Sequence, residues 1–479
     1  MRVAIVHYHL EPGGVTRVIE NTLESFSQEL ESPQFVVLTG RKYPGDKIKN
    51  VQIVEGLDYS SPTNSISPSV LKERLEKAAK VGLGGKPDIW HIHNHSLGKN
   101  ASLTKAVALL AEDANPMLLH PHDFAEDGRP SNFSALKEIY SSAYPSSSTV
   151  HYATLNHRDH TFLKKVFSTK ASPVHLLANA ISIPSAAQEV NTLPPPELPD
   201  NLFLYPVRAV RRKNLGELAL IAASYPEKHF ANSLGPTNPE FQPIFKRWEQ
   251  FSNEINLPVT FALGEKTSVS FPEMVDHADG ILSTSIAEGF GLGFLEPWMS
   301  GKFLWGRNIP EITLDFSSLG INLNHLYQRI NINLEHLQNK GSLTSKIQTT
   351  LENFFLEYQQ EMPSNATDIA YQSMVQNDQV DFGRLDEVLQ EEIILSISKS
   401  TEARDEIRSQ VKLERIDSEI ILKNKESINE NFAPKSYTTK LKHIYEKILD
   451  SKQDQFEFAQ GEHLLDSFLS PARLNLLRT

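Results

Sequence analysis

Residues 285–296 read Ser-Ile-Ala-Glu288-Gly289-Phe290-Gly291-Leu292-Gly293-Phe-Leu-Glu296, two carboxylates flanking three glycines. Glycines let a backbone come close to a ligand and adopt positive φ where a turn needs it. If the segment opens a helix, the first amides of that helix face and favour an anion such as a diphosphate. Glu296 would then lie in the first turns, where a carboxylate can accept two hydrogen bonds from vicinal hydroxyls of the kind a ribose offers. Glu288, ahead of the glycines, could face the sugar or phosphate end. The competing reading is an ordinary glycine-rich turn in which Glu296 only complements a helix dipole. The spacing is G-x-G-x-G rather than G-x-G-x-x-G, and nothing similar follows the first strand, so it does not spell a dinucleotide site.

Cleaving a sugar-nucleotide leaves a diphosphate whose growing negative charge needs a metal or fixed cations. Arg208 and Lys213 stand five positions apart at a predicted strand end and the turn after it, and could converge on one phosphate. The run Arg208, Arg211, Arg212, Lys213 could also be a solvated basic loop. Its place at the end of a strand favours the phosphate role. No Asp-x-Asp falls at a strand end, which agrees with stabilisation by cations. His91, His93 and His95 alternate, and His120 and His122 form a second pair. Alternate strand residues share a face, so that run would set three imidazoles in a line rather than a tetrahedron. With no cysteine and no partner carboxylate at helical spacing, no metal site is expected. Asp127, Arg129 and Asn132 follow His122 closely and could recognise the acceptor, with Arg129 and Arg17 available for a carboxylate or phosphate, or they are a polar loop with no ligand.

These residues need elements to hold them. Short apolar runs at Val3–Tyr8, Phe35–Leu38, Val51–Val54, Asp88–His93, Met117–His120 and Val150–Leu155 alternate with amphipathic stretches. Such β-α alternation predicts an α/β fold with a parallel sheet, whose strand ends bind ligands. Pro194-Pro-Pro196-Glu-Leu-Pro199 marks a linker, because proline lacks an amide proton and restricts its neighbour. A second series follows at Leu202–Val207, Val259–Leu263 and Gly280–Ser283. The expected division is 1–185, a linker at 186–200, a second domain at 201–320, a helical insertion or appendage at 321–430 without a strong apolar stripe, and closing helices at 431–479.

A chain of 479 residues is too long for one core. Forty-seven Lys and Arg against 59 Asp and Glu give a net charge of −12, which argues against nucleic acid or anionic lipid as a partner. No apolar run approaches the ~20 residues of a membrane span, the first residues are patterned as a strand rather than a leader, and the absence of cysteine suits a reducing compartment. A cytoplasmic protein is expected. A homo-oligomer remains possible through the helical region.

Glu288 and Glu296 with the intervening GFGLGFL resemble the E-x7-E motif of retaining glycosyltransferases of family 4, in the GT-B superfamily. Other segments match that family in the same order. Gly13-Gly14-Val15 resembles its N-terminal glycine loop, Ala178-Asn179-Ala180 its "P-N-G" segment, and Ser436–Leu449 its closing helix. Val207-Arg208-Ala-Val-Arg-Arg-Lys213-Asn214 resembles "G-R-L-x-x-x-K-G", with Val207 in place of the first glycine. The resemblance covers about residues 1–315 and 436–450, and leaves the region between unexplained. It implies two Rossmann-like domains facing across a cleft that closes during turnover. It implies a nucleoside diphosphate sugar as donor substrate, no other cofactor, and front-face transfer of a hexosyl group to an acceptor hydroxyl with no enzymatic nucleophile. By the same resemblance the candidate catalytic residues are His122, which would meet the donor sugar, with Arg208, Lys213 and Glu288. The candidate donor-binding residues are Gly13, Gly14, Gly289, Phe290, Gly291, Leu292 and Glu296. A glycosyl phosphorylase, a sugar-nucleotide epimerase, or a non-catalytic sugar-nucleotide-binding protein would use the same fold.

Overall fold

The computed structural model describes residues 1–29, 31–60, 66–181, 197–337, 340–413, 418–452 and 454–477. Pro194–Pro196 of the expected linker lie outside these residues. The chain divides into two compact units, Met1–Ser182 with Glu430–Ser470, and Ile183–Asn429 with Pro471–Thr479.

The first unit carries β1 (Arg2–Val6), β2 (Gln34–Thr39), β3 (Val51–Ile53), β4 (Ile89–His93), β5 (Met117–His120), β6 (Pro145–Ser146), β7 (Val150–Thr154) and β8 (Val174–Leu176). Seven of them form a parallel sheet in the order β3-β2-β1-β4-β5-β7-β8. Every residue of β4, β5 and β7 is buried, as expected of strands covered on both faces. One covering layer comes from far along the chain. In the helix Pro434–Asp450, Tyr437, Leu441, Ile444, Tyr445 and Ile448 recur at helical spacing and share a core with Val3, Ile5, Ile89 and Leu118. This helix is the predicted Ser436–Leu449 element, and it packs on the N-terminal sheet. Its proline sits in the first turn, where a missing amide costs nothing.

The second unit carries β9 (Leu202–Arg208), β10 (His229–Leu234), β11 (Val259–Thr260), β12 (Gly280–Ser283) and β13 (Leu304–Gly306), a parallel sheet in the order β11-β10-β9-β12-β13. The predicted strand Val259–Leu263 is only two residues long, because Ala262 (φ 53°) turns the chain into the short helix Leu263–Lys266.

The region 321–430 is helix-rich, as expected, and also holds short strands. It contains β14 (Asn331–Asn333), β15 (Val375–Gln376) and β16 (Gln379–Asp381), an antiparallel sheet in the order β14-β16-β15. Strands this short carry no legible alternation. The expected lack of an apolar stripe is also corrected, since Leu343, Ile347 and Leu351 recur every four residues along the helix Lys340–Glu357 and are buried. A last strand, β17 (Glu457–Phe458), pairs antiparallel with β6 in the first unit. Among the described residues, no helix is long and apolar enough to cross a membrane.

Candidate functional site

In the second unit, β9 and β12 are neighbours, and their C-terminal ends carry the two segments singled out above. After Arg208 the chain makes a 3-10 turn over Arg211–Lys213 and passes through Asn214 in the left-handed region (φ 51°). After Ser283, the Thr284 hydroxyl donates to the carbonyls of Lys213 (2.9 Å) and Asn214 (3.1 Å). The Ile286 amide donates to the carbonyl of Arg212 at 3.0 Å. Thus stitched, the loops bring Lys213 and Glu288 together, with Lys213 Nζ donating to Glu288 Oε1. Both side chains are mostly buried, at 14% and 13% exposure, which strengthens their attraction relative to water. An ammonium has three protons and Glu288 takes one, so Lys213 retains donors for a phosphate oxygen. Arg208 is exposed, and its guanidinium donates to the carbonyl of Gly235 at 3.1 Å rather than sharing the Lys213–Glu288 pair.

The glycine segment divides into required and unrequired positions. Gly291 has φ 93°, and a Cβ there would come within 2.8 Å of Ile312, so the turn itself demands glycine. A Cβ at Gly293 would meet nothing within 4 Å. Phe290 buries its ring edge-on against Phe316 at 5.7 Å, while Gly289 and Leu292 are half-buried. The helix that the segment opens is short. A 3-10 turn over Leu292–Phe294 leads into a helix of one turn, Glu296–Met299, which ends at Ser300 and at Gly301 (φ 68°). Pro297 lacks an amide and four residues build little dipole, so the anion-binding power expected of this helix is largely lost. Glu296 is its first residue and is exposed.

In the first unit the histidines arrange themselves differently from the expected line. His91 and His93 share a face of β4 and stack at 4.4 Å. Asn94 then enters the left-handed region (φ 56°), which sends His95 away to the carbonyl of Ala143. The remaining partners come from the next strand. His93 pairs in register with His120, His91 Nε2 lies 3.2 Å from His120 Nδ1, and His93 Nδ1 lies 2.8 Å from His122 Nε2. The Tyr445 hydroxyl holds His91 Nδ1 at 2.8 Å. Ligand atoms of His91, His93 and His120 fall within 4.8 Å of one another, a grouping the sequence reading did not foresee. Both nitrogens of His91 are already engaged, so ligation there would break a hydrogen bond.

Asn94 is a residue the sequence reading missed. Its Oδ1 accepts from the amides of His122 (2.6 Å) and Asp123 (3.3 Å), fixing the turn that carries His122. With Nε2 against His93, His122 has Nδ1 left for a ligand. Burial lowers the His122 pKa to about 4, partly offset by Asp123, and lowers His91 to about 3, with the nearby His122 adding to the effect. Burial and neighbouring imidazoles also hold His93 and His120 well below the usual range. The cluster is therefore neutral at pH 7. An unfolded imidazole takes up a proton below about 6.5 while these folded ones do not, so stability falls as pH drops from about 6.5 toward 4. The thermal midpoint is expected to decline over that window, and His120→Leu to make the decline shallower. A midpoint unchanged between pH 6.5 and 5 would contradict this.

The acceptor candidates are placed as follows. Arg129 donates to the carbonyls of Phe124 (3.0 Å) and Asp127 (3.1 Å) and to Asp123 Oδ1 (2.5 Å), so it holds its own loop. Asp127 lies 3.7 Å from Arg158, and Asn132 sits on the helix Pro130–Leu136 with its carbonyl against Gly98. Arg17 is exposed on the helix Gly14–Ser27. Gly13 (φ −178°) is extended and Gly14 is exposed; a Cβ at Gly13 would meet only the Glu11 carbonyl at 3.7 Å, and one at Gly14 nothing within 4 Å. The fold itself therefore demands neither glycine.

No protein-family model matches the chain. Mannosylglucosyl-3-phosphoglycerate synthase of Petrotoga mobilis is 27% identical over 341 residues, 66% of this chain and 66% of that protein, so the chain spans just under two thirds of its length. HepE of Anabaena, solved in complex with UDP and glucose, superposes with a TM-score of 0.53 at 11% identity, over 93% of this chain and 99% of that one. Sucrose-phosphate synthase from Thermosynechococcus elongatus gives 0.52 at 14% identity, over 93% and 98%. A trehalose-6-phosphate structure from E. coli bound with UDP-2-fluoro glucose gives 0.51 at 11%, over 95% and 100%. The fold is that of GT-B glycosyltransferases, with its parallel sheets and an additional helix-rich region in the C-terminal half.

Proposed function

We propose that the chain is a retaining, metal-independent hexosyltransferase of glycosyltransferase family 4 type, using a nucleoside diphosphate sugar. The observation that carries the reading is the Lys213–Glu288 pair at the ends of β9 and β12, which joins two motif segments 75 residues apart. Arg208 and Lys213 receive the donor diphosphate, Glu288 holds Lys213 and faces the sugar end, and Glu296 accepts from the ribose hydroxyls. Neutral His122 offers Nδ1 to a sugar hydroxyl. Gly13 and Gly14, which the fold does not need, leave room for a ligand to reach the backbone.

In this scheme the bond between C1 and the phosphate oxygen breaks while C1 bonds to the acceptor oxygen on the same face. The acceptor proton passes to the departing phosphate oxygen. Fixed cations already aimed at that oxygen lower the barrier because they need no reorganisation. The name of the Petrotoga relative contains a phosphoglycerate, and an anionic acceptor suits this chain too, with exposed Arg17 better available to it than Arg129. The cysteine-free composition suits a cytoplasmic enzyme.

A panel of UDP-, GDP- and ADP-sugars, incubated with candidate acceptors in EDTA, tests the reading. Transfer is expected to persist in the chelator, and proton NMR is expected to show the donor's anomeric configuration in the product. An inverted product, or activity restored only by a divalent ion, would overturn the mechanism. Phosphate-dependent sugar release without nucleotide would identify a phosphorylase instead.

A further inference from the structure

The region 321–430 lies outside the family resemblance, yet one face of it is fastened to the turn that carries Lys213. We propose that this region is the positioning element of the donor-phosphate turn, with Glu387 and Gln390 as its two points of attachment. The proposal rests on the reading of Arg208 and Lys213 as diphosphate ligands.

Two contacts with the turn argue for it. Asp386 caps the helix Glu387–Ser398 by accepting from the Leu389 amide at 3.0 Å, which places Glu387 in the first turn. Glu387 takes Arg211 in a two-pronged bond, Nε to Oε1 at 2.8 Å and Nη2 to Oε2 at 2.9 Å. That geometry fixes the orientation of the guanidinium and hence of the turn. One turn further on, Gln390 is fully buried and donates to Asn214 Oδ1 at 3.0 Å and to the carbonyl of Phe382 at 3.1 Å. Asn214 is the left-handed residue on which the chain reverses after Lys213.

An indirect link runs from Asn214 through Glu217 and Arg307 to the same region. Asn214 Nδ2 donates to Glu217 Oε2 at 3.0 Å, and Glu217 is in turn gripped by Arg307 at 2.6–3.1 Å. Arg307 continues to Asp381, the last residue of β16, through two bonds of 2.9 Å. Gly216 makes the approach possible, because a Cβ there would fall 2.1 Å from Gln390 Oε1. The region thus holds the turn directly at Arg211 and Asn214, and supports Asn214 again through Arg307 and Glu217. A turn with no inserted region would have to find its geometry from the 284–288 loop alone.

A charge exchange across Arg211 and Glu387 tests this, since the pair is part-exposed and its loss should leave the protein folded. Hydrogen exchange is read on the peptide covering 208–217, and calorimetry on the nucleoside diphosphate that the wild type binds. Glu387→Arg is expected to speed exchange of that peptide several-fold, leave the helix Pro68–Leu83 unchanged, and weaken the nucleotide about tenfold. The double variant Arg211→Glu, Glu387→Arg is expected to restore both. Unchanged exchange at 208–217 in Glu387→Arg would overturn the proposal. So would a freed turn that binds nucleotide as tightly as before, or failure of the double variant to recover affinity, which would make Arg211 a direct ligand. If no nucleoside diphosphate binds the wild type, the donor-site reading fails, and with it the assignment of the turn to phosphate; exchange then still decides whether the attachment exists.

Discussion

Lys213→Ala is expected to lower kcat for sugar transfer by about 10²–10³-fold, the usual cost of removing one preorganised donor aimed at developing charge. Lys213 is singled out over Arg208 because of how it is held. Its ammonium is mostly buried and tied to Glu288, and its own carbonyl is anchored by Thr284, so it cannot drift from the strand end. Arg208 is exposed and its partner is a backbone carbonyl, so its alanine variant should cost less. Removing both should abolish transfer. Glu288→Gln separates the roles within the pair: the charge on Lys213 survives while its restraint weakens, so a smaller loss is expected. Steady-state rates at saturating donor, with circular dichroism to confirm folding, provide the measurement. A Lys213→Ala enzyme within threefold of wild type would remove this residue from the chemistry.

Arg307→Met is expected to be among the most destabilising single changes, by about 3–5 kcal/mol. Arg307, Glu217 and Asp381 are 5%, 0% and 6% exposed, and the guanidinium serves both carboxylates. Replacing it leaves two buried carboxylates with no cation. Burial already raises the Glu217 pKa despite Arg307, with Asp381 adding to the effect. Without the cation, folded Glu217 should hold its proton still more tightly relative to the unfolded chain. Stability of the variant then recovers as pH falls, because the folded state binds the extra proton. Urea unfolding followed by the fluorescence of Trp248, Trp298 and Trp305 should show a deficit that shrinks between pH 7.5 and 5.5. A deficit independent of pH would mean that the loss is one of packing alone.

Some of this was legible in the residues and some was not. Continuous apolar runs such as Val3–Val6 and Met117–Leu119 announce parallel strands, because both faces of the sheet are covered. Strand β10 reads His-Phe-Ala-Asn-Ser-Leu and offers no such run, and β13 to β16 are too short for periodicity to register. The motif residues were found by type and spacing, but their partnerships were not. Nothing in the sequence pairs Lys213 with Glu288 rather than with an aspartate elsewhere. The histidine line failed at one residue, Asn94, whose positive φ ends the alternation after His93 and makes the true neighbours cross-strand. The helix opened at Glu296 is a single turn for a readable reason, since Pro297 and Gly301 bracket it. Above all, the region 321–430 reads as a helical insertion or appendage without a strong apolar stripe, because its apolar positions are spread over several elements. Only the fold shows that many of them are buried and that Gln390 meets Asn214.

If the ends of β9 and β12 form a nucleotide-sugar site, calorimetric titration with UDP, GDP and ADP should show saturable binding of at least one of them without added metal. Glu296→Gln is expected to weaken that binding about tenfold or more by removing a charged acceptor for the ribose hydroxyls. No heat of binding from any of the three nucleotides, in protein shown to be folded, would contradict such a site.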